Sequence, residues 1–138
     1  MDEINFYDKK RNLIIQFKDF QTVQIEDPKI LTFTGIVKFD FFHIETDFEA
    51  EEYDFKNLML SLEKMHKREQ KYASFNPLSP KIRIKLSEDM GQIEIKVEIR
   101  NNLYTGNLQF KYEIDQSFLP ELIGKISAVL NSTNTDFQ

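Results

Sequence analysis

The chain has 138 residues, 41% of them hydrophobic and 30% charged, with a net charge of -5, two His and no Cys. This size buries one core without staples. The missing Cys excludes disulfides and zinc–thiolate sites, and the acidity argues against a phosphate-binding nucleic-acid protein.

The chain reads as one domain over residues 1–138, with loose ends at about 1–10 and 131–138. The acidic start, Met1-Asp2-Glu3-Ile4-Asn5, has no apolar segment of signal-peptide type. No apolar run approaches the roughly 20 residues that span a bilayer. A cytoplasmic location is expected.

Leu13, Ile15 and Phe17 alternate as one face of a strand, and a second short strand is expected over 22–25, ended by a turn at Asp27-Pro28-Lys29. Residues 30–50 are β-branched and aromatic but too long for one ordinary strand. The apolar phase slips near Phe41-Phe42, which predicts a β-bulge in a strongly curved strand, or two strands in tandem. Gly35 is expected at a bulge or bend.

From Asp54 to about Lys67, Phe55, Leu58, Met59, Leu62 and Met65 recur at helical spacing, with Asp54 as the expected N-cap. Asn76-Pro77 and Ser79-Pro80 fall in a connection over about 70–80. Three alternating strands follow. Ile82, Ile84 and Leu86 face inward, then Ile93, Ile95, Val97 and Ile99, then Leu108, Phe110, Tyr112 and Ile114. A hairpin turn at Glu88-Asp89-Met90-Gly91 is expected to use a positive φ at Gly91. Outward basic residues Lys81, Arg83 and Lys85 are expected to pair across strands with Glu94 and Glu98.

The last helix runs from about Phe118 to Leu130, with Ser117 as cap and Pro120 in its first turn. Gly124 costs helix stability and is expected to permit close packing on the sheet. No internal sequence repeat is visible. The fold class is therefore α+β: a curved antiparallel sheet of about six strands with two helices packed on one face.

Candidate chemistry is sparse. His43 and His66 sit apart, too few for a metal site, and no nucleophile elbow or phosphate-binding glycine loop is present. No metal, cofactor or catalytic residue is expected. The most distinctive feature is acidic: Glu45, Asp47, Glu49, Glu51, Glu52 and Asp54 fall within ten residues that contain no base. The odd-numbered four share one face of an extended chain. Such a face either solvates an edge strand or meets a basic protein partner.

Several motifs resemble the WapI-type immunity proteins of bacterial polymorphic-toxin systems. They are Gly35-x-x-x-Phe39, the helix segment Leu58-Met59-Leu60-Ser61-Leu62, and Ala73-x-Phe75. Gly91-x-Ile93-x-Ile95 and Gly106-x-Leu108-x-Phe110 follow, and Asp115-Gln116-Ser117-x-Leu119-Pro120 closes the series. The resemblance implies a non-enzymatic inhibitor that binds the C-terminal domain of a cognate toxin and blocks its active site. Many such toxins attack RNA through basic surfaces, so the expected partner includes a basic nuclease, with no direct nucleic-acid or membrane binding. Charge then assigns Glu45, Asp47, Glu49, Glu51 and Glu52 to partner contact, whereas Asp115, Gln116 and Ser117, which carry the resemblance, are expected to be structural, as strand end, turn and helix cap. The alternative is a small-ligand or enzymatic domain on the concave side of the sheet, using His43, Tyr53 and the acidic stretch.

Overall fold

The computed structural model describes residues 2–78, 81–101 and 106–135. The strands are β1 (Ile4–Tyr7), β2 (Leu13–Gln24), β3 (Ile30–Phe39) and β4 (Phe42–Glu51), followed by helix α1 (Glu52–His66). Then come β5 (Tyr72–Phe75), β6 (Ile82–Asp89), β7 (Gln92–Arg100) and β8 (Asn107–Asp115). A 3-10 turn over Gln116–Phe118 leads into α2 (Leu119–Thr135). The strands form two antiparallel four-stranded sheets, ordered β1-β2-β3-β4 and β5-β6-β7-β8. A unit of four meandering strands and a helix thus occurs twice, as a repeat of topology that the sequence does not display.

The class is α+β as expected, but the single sheet of about six strands is two sheets totalling eight. Three local features account for the difference. The strands β1 and β5 have four residues each, too few for a period of two to stand out within polar surroundings. They fall in residues 1–10, expected as a lead-in, and in 70–80, expected as a connection. Over 30–50, the phase slip at Phe41-Phe42 is a chain reversal and not a bulge. Phe39 pairs with Phe42, and Asp40 takes a left-handed φ of 56°, which Asp tolerates better than most residues. In β2, the two short strands expected at 13–17 and 22–25 are one. A register shift lies between Lys18 and Gln21, where Asp19 has φ 56°. An extra residue of this kind re-aims a strand without ending it.

Gly35 interrupts nothing: β3 and β4 stay in register from Ile30↔Glu51 to Phe39↔Phe42. Its absent side chain makes room for the Phe48 ring, whose Cδ2 lies 2.7 Å from where a Cβ would stand. The expected turn between β6 and β7 is present. Met90 (φ 53°) and Gly91 (φ 85°) form a two-residue loop with both φ positive, which matches the twist of the strands it joins.

The core is aromatic and shared. Phe17 and Phe33 of the first sheet lie 5.7 and 6.4 Å from Phe75 of the second. Phe55 of α1 sits 5.4 Å from Phe33 and 4.9 Å from Phe75. A second link stacks Phe39 on Phe110 at 4.4 Å. The predicted stripe of α1 is inside: Phe55, Leu58, Leu62 and Met65 are buried and Met59 partly so. The helices pack on each other, α1 also against β5 and α2 against β1 and β2. Helix α2 continues past Leu130, and Thr133 is 2% exposed, so residues 131–135 of the expected tail are helical. Residues 136–138 lie outside the described residues.

Candidate functional site

Strand β4 ends its sheet, so one side of its backbone has no strand partner. Alternation turns Phe48 and Ala50 into the core and Glu45, Asp47 and Glu49 out to solvent, with Glu51 half-buried at the strand's end. The four acids thus fall on one face, as the period of two requires. Across from them on β3 stand Ile36, Thr34, Thr32 and Ile30, none of them basic. Thr34 Oγ1 donates to Asp47 Oδ1 at 3.0 Å. Among the described residues, Glu45, Asp47 and Glu49 form no ion pair. Carboxylates spaced two strand residues apart, about 6.8 Å, repel by roughly 0.6 kcal/mol per pair in water. A basic partner removes that repulsion.

Glu52 has a different setting. Its side chain is 13% exposed and bridges Lys29 Nζ at 3.1 Å and Lys56 Nζ at 3.0 Å. Burial would raise its pKa, but Lys56 and Lys29 outweigh that and hold the carboxyl below the usual range. The structure places Glu52 as the clasp between β4, α1 and the start of β3. Asp54 is the third helical residue, not the N-cap. Its Oδ2 accepts from the Glu51 backbone N–H at 2.9 Å. Burial raises its pKa, and the hydrogen bond opposes this only in part.

Exposed aromatic rings stand at both ends of the acidic strand: Phe41 (94% exposed) and Phe42 at one end, Tyr53 (68%) at the other. Aromatic abundance read as core conceals these rings. Their signal is position, at a chain reversal and in the first turn of a helix, where an inward ring is not demanded. His43 is exposed opposite Lys38, and His66 is exposed at the end of α1. Neither joins a cluster. No group of three or more metal-capable side chains occurs among the described residues.

The stretch from Asp115 to Leu122 is a joint. Asp115 Oδ1 accepts from the Ser117 backbone N–H at 2.9 Å and from Ser117 Oγ, so Asp115, not Ser117, is the capping side chain. Those hydrogen bonds lower the Asp115 pKa. One turn later, Glu121 takes a two-pronged contact from Arg11, at 2.9 and 3.2 Å. The Arg11 guanidinium also covers the Tyr7 ring at 4.2 Å. The start of α2 is thereby fastened to the β1–β2 turn.

No described helix is long and apolar enough to cross a membrane. Among solved structures, the fold is similar to that in "Crystal structures of trypanosoma bruciei MRP1/MRP2". The TM-score is 0.52 at 9% identity, covering 98% of this chain and 85% of that one. The plant transcriptional regulator PBF-2 matches with a TM-score of 0.47 at 7% identity, over 99% and 86%. At such identities the first likeness speaks for the fold alone. No curated protein matches the sequence. The family model described as "Immunity protein WapI-like family" matches residues 5–134. That span takes in both sheets, both helices and the acidic strand, and the chain belongs to this family of immunity proteins.

Proposed function

We propose that the protein neutralises a cognate bacterial toxin by binding its C-terminal catalytic domain through the outer face of β4, covering the active site. Family membership supports a toxin-immunity role, and a binding protein fills such a role without chemistry of its own. The single observation that carries the surface is the row of outward carboxylates at Glu45, Asp47 and Glu49 on an edge strand, which form no ion pair among the described residues. Glu51 extends the row, while Glu52 holds the strand to α1. A basic toxin surface, such as that of a nuclease, would be drawn to this row over several ångströms and more strongly at low salt. Phe41, Phe42 and Tyr53 supply apolar area of the kind that anchors interfaces.

The test is titration calorimetry of the protein against the toxin domain encoded beside it, with inhibition of the toxin read in parallel. One-to-one binding that silences the toxin is expected. The triple variant Glu45→Lys, Asp47→Lys, Glu49→Lys should retain its circular dichroism and lose at least tenfold in association rate, as expected when steering charge is reversed. An unchanged association rate at physiological salt would remove β4 from the interface.

A further inference from the structure

On the outer face of the second sheet acidic and basic side chains are interspersed, but three of the bases stand side by side. Pairing places Lys85 of β6 opposite Lys96 of β7, and Lys96 opposite Lys111 of β8. Three lysines therefore form one row across neighbouring strands, spanning roughly 10 Å. Like charges directly opposite one another destabilise a sheet. Expected pairing with Glu94 and Glu98 relieves little of this. Glu94 alone serves both Lys96, at 3.8 Å, and Lys111, at 4.0 Å. Arg83 stands opposite Glu98, but that carboxylate is held by Arg100 at 3.0 Å and Gln109 at 2.8 Å. Among the described residues, Arg83 and Lys85 have no ion pair. An open cleft of about 490 Å³ lies over these side chains.

A row that costs the sheet stability and faces an open cleft is built for an anion. We infer that this face docks a short carboxylate-rich segment of a protein partner, gripped by Arg83, Lys85, Lys96 and Lys111. The site goes beyond toxin binding through β4, since it lies on the other sheet and selects the opposite charge. Carboxylates on alternate residues of an extended segment, about 6.8 Å apart, fall within reach of lysines whose strands are about 4.8 Å apart. A nucleic-acid strand fits less well. The face is interrupted by Glu94, Glu98 and Glu113, whereas a phosphate backbone calls for a continuous positive track. Among its described outward positions the one aromatic ring is Tyr72, in the row that holds Glu94 and Glu113. Stacking bases require rings beside the cations.

The experiment is fluorescence anisotropy with the full chain, at about 50 mM salt, where surface charge is weakly screened. The probes are a labelled octapeptide of alternating Glu and Thr and a labelled single-stranded RNA octamer. The peptide is expected to bind more tightly than the RNA, with affinity falling as salt rises. Lys96→Glu should weaken peptide binding at least tenfold. The same substitution should leave the melting temperature nearly unchanged, because it makes two repulsive cross-strand pairs attractive but gives up the Lys96–Glu94 contact and sets a third carboxylate between Glu94 and Glu98 on β7. A melting temperature that does not fall separates lost binding from lost folding. No peptide binding by the unmodified chain, tighter RNA than peptide binding, or undiminished binding by Lys96→Glu would each overturn the inference. Because Lys96→Glu leaves β4 intact, the toxin titration reports separately on the other surface.

Discussion

Two glycines that look alike in sequence have opposite roles, and substitution separates them. Gly35 sits in regular strand, and a Cβ there would enter the space of the Phe48 ring. Phe48 is 3% exposed and lies 5.9 Å from the Phe33 ring, so it has little freedom to withdraw. Gly35→Ala should destabilise the protein by about 1–3 kcal/mol, the range for overpacking a filled core. Gly124 is exposed in the middle of α2, and an added Cβ meets nothing within 4 Å. The close packing expected there is absent, so Gly124→Ala should stabilise by about 0.5–1 kcal/mol through helix propensity and a less flexible unfolded chain. Paired urea denaturation curves check both signs. If both substitutions move the midpoint in the same direction, the two environments have been misassigned.

At the scale of elements, the joints depend on carboxylates, and this sets the response to acid. Arg11 holds the Glu121 pKa below its ordinary 4.5, and Ser117 holds Asp115 below its ordinary 3.8. Asp8 is also lowered: burial would raise it, but donors from Asn12 and Lys10 prevail. Glu52 is lowered by its two lysines against burial. A group whose pKa is depressed by folding stabilises the fold above its unfolded value and loses that contribution as pH falls through its folded value. Asp54, raised by burial, has the reverse sign and is relieved in acid. Four groups oppose one, so stability should be level near neutrality and fall below about pH 4.5. Melting temperatures at pH 7 and 3.5 test this, and Glu121→Gln should flatten the slope.

These elements also show what the sequence made legible. The amphipathic stripe of α1 and the inward rows of β6 and β7 are periodic over long segments, and they are buried as expected. The chain reversal at Asp40 was hidden because Asp-Phe lacks the glycine that marks Met90-Gly91. The face shared by Glu45, Asp47 and Glu49 followed from alternation alone. The withdrawal of Glu52 into a clasp did not, because it depends on Lys29 from a distant segment. The lysine row was illegible for the same reason: each Lys alternates normally in its own strand, and only the register sets the three side by side.

For the whole molecule, the repeated arrangement of four strands and a helix raises the question of whether each half is a separate folding unit. The aromatic core argues otherwise. Phe75 belongs to the second sheet, yet its ring lies within 6.4 Å of Phe17, Phe33 and Phe55, all from the first half of the chain. The strand that presents it, β5, has four residues and bonds to β6 alone, too little to hold an aromatic ring without help. Neither half can close its apolar face by itself, so both should unfold in one transition. Tyrosine emission reports mainly on side-chain surroundings in this Trp-free chain, whereas far-ultraviolet circular dichroism reports on backbone, and their urea midpoints should coincide. Phe75→Ala should cost about 3–5 kcal/mol and shift both signals together. If the two signals instead separate in the variant, with one sheet melting ahead of the other, the halves fold independently and the ring is a local filler, not the tie between them.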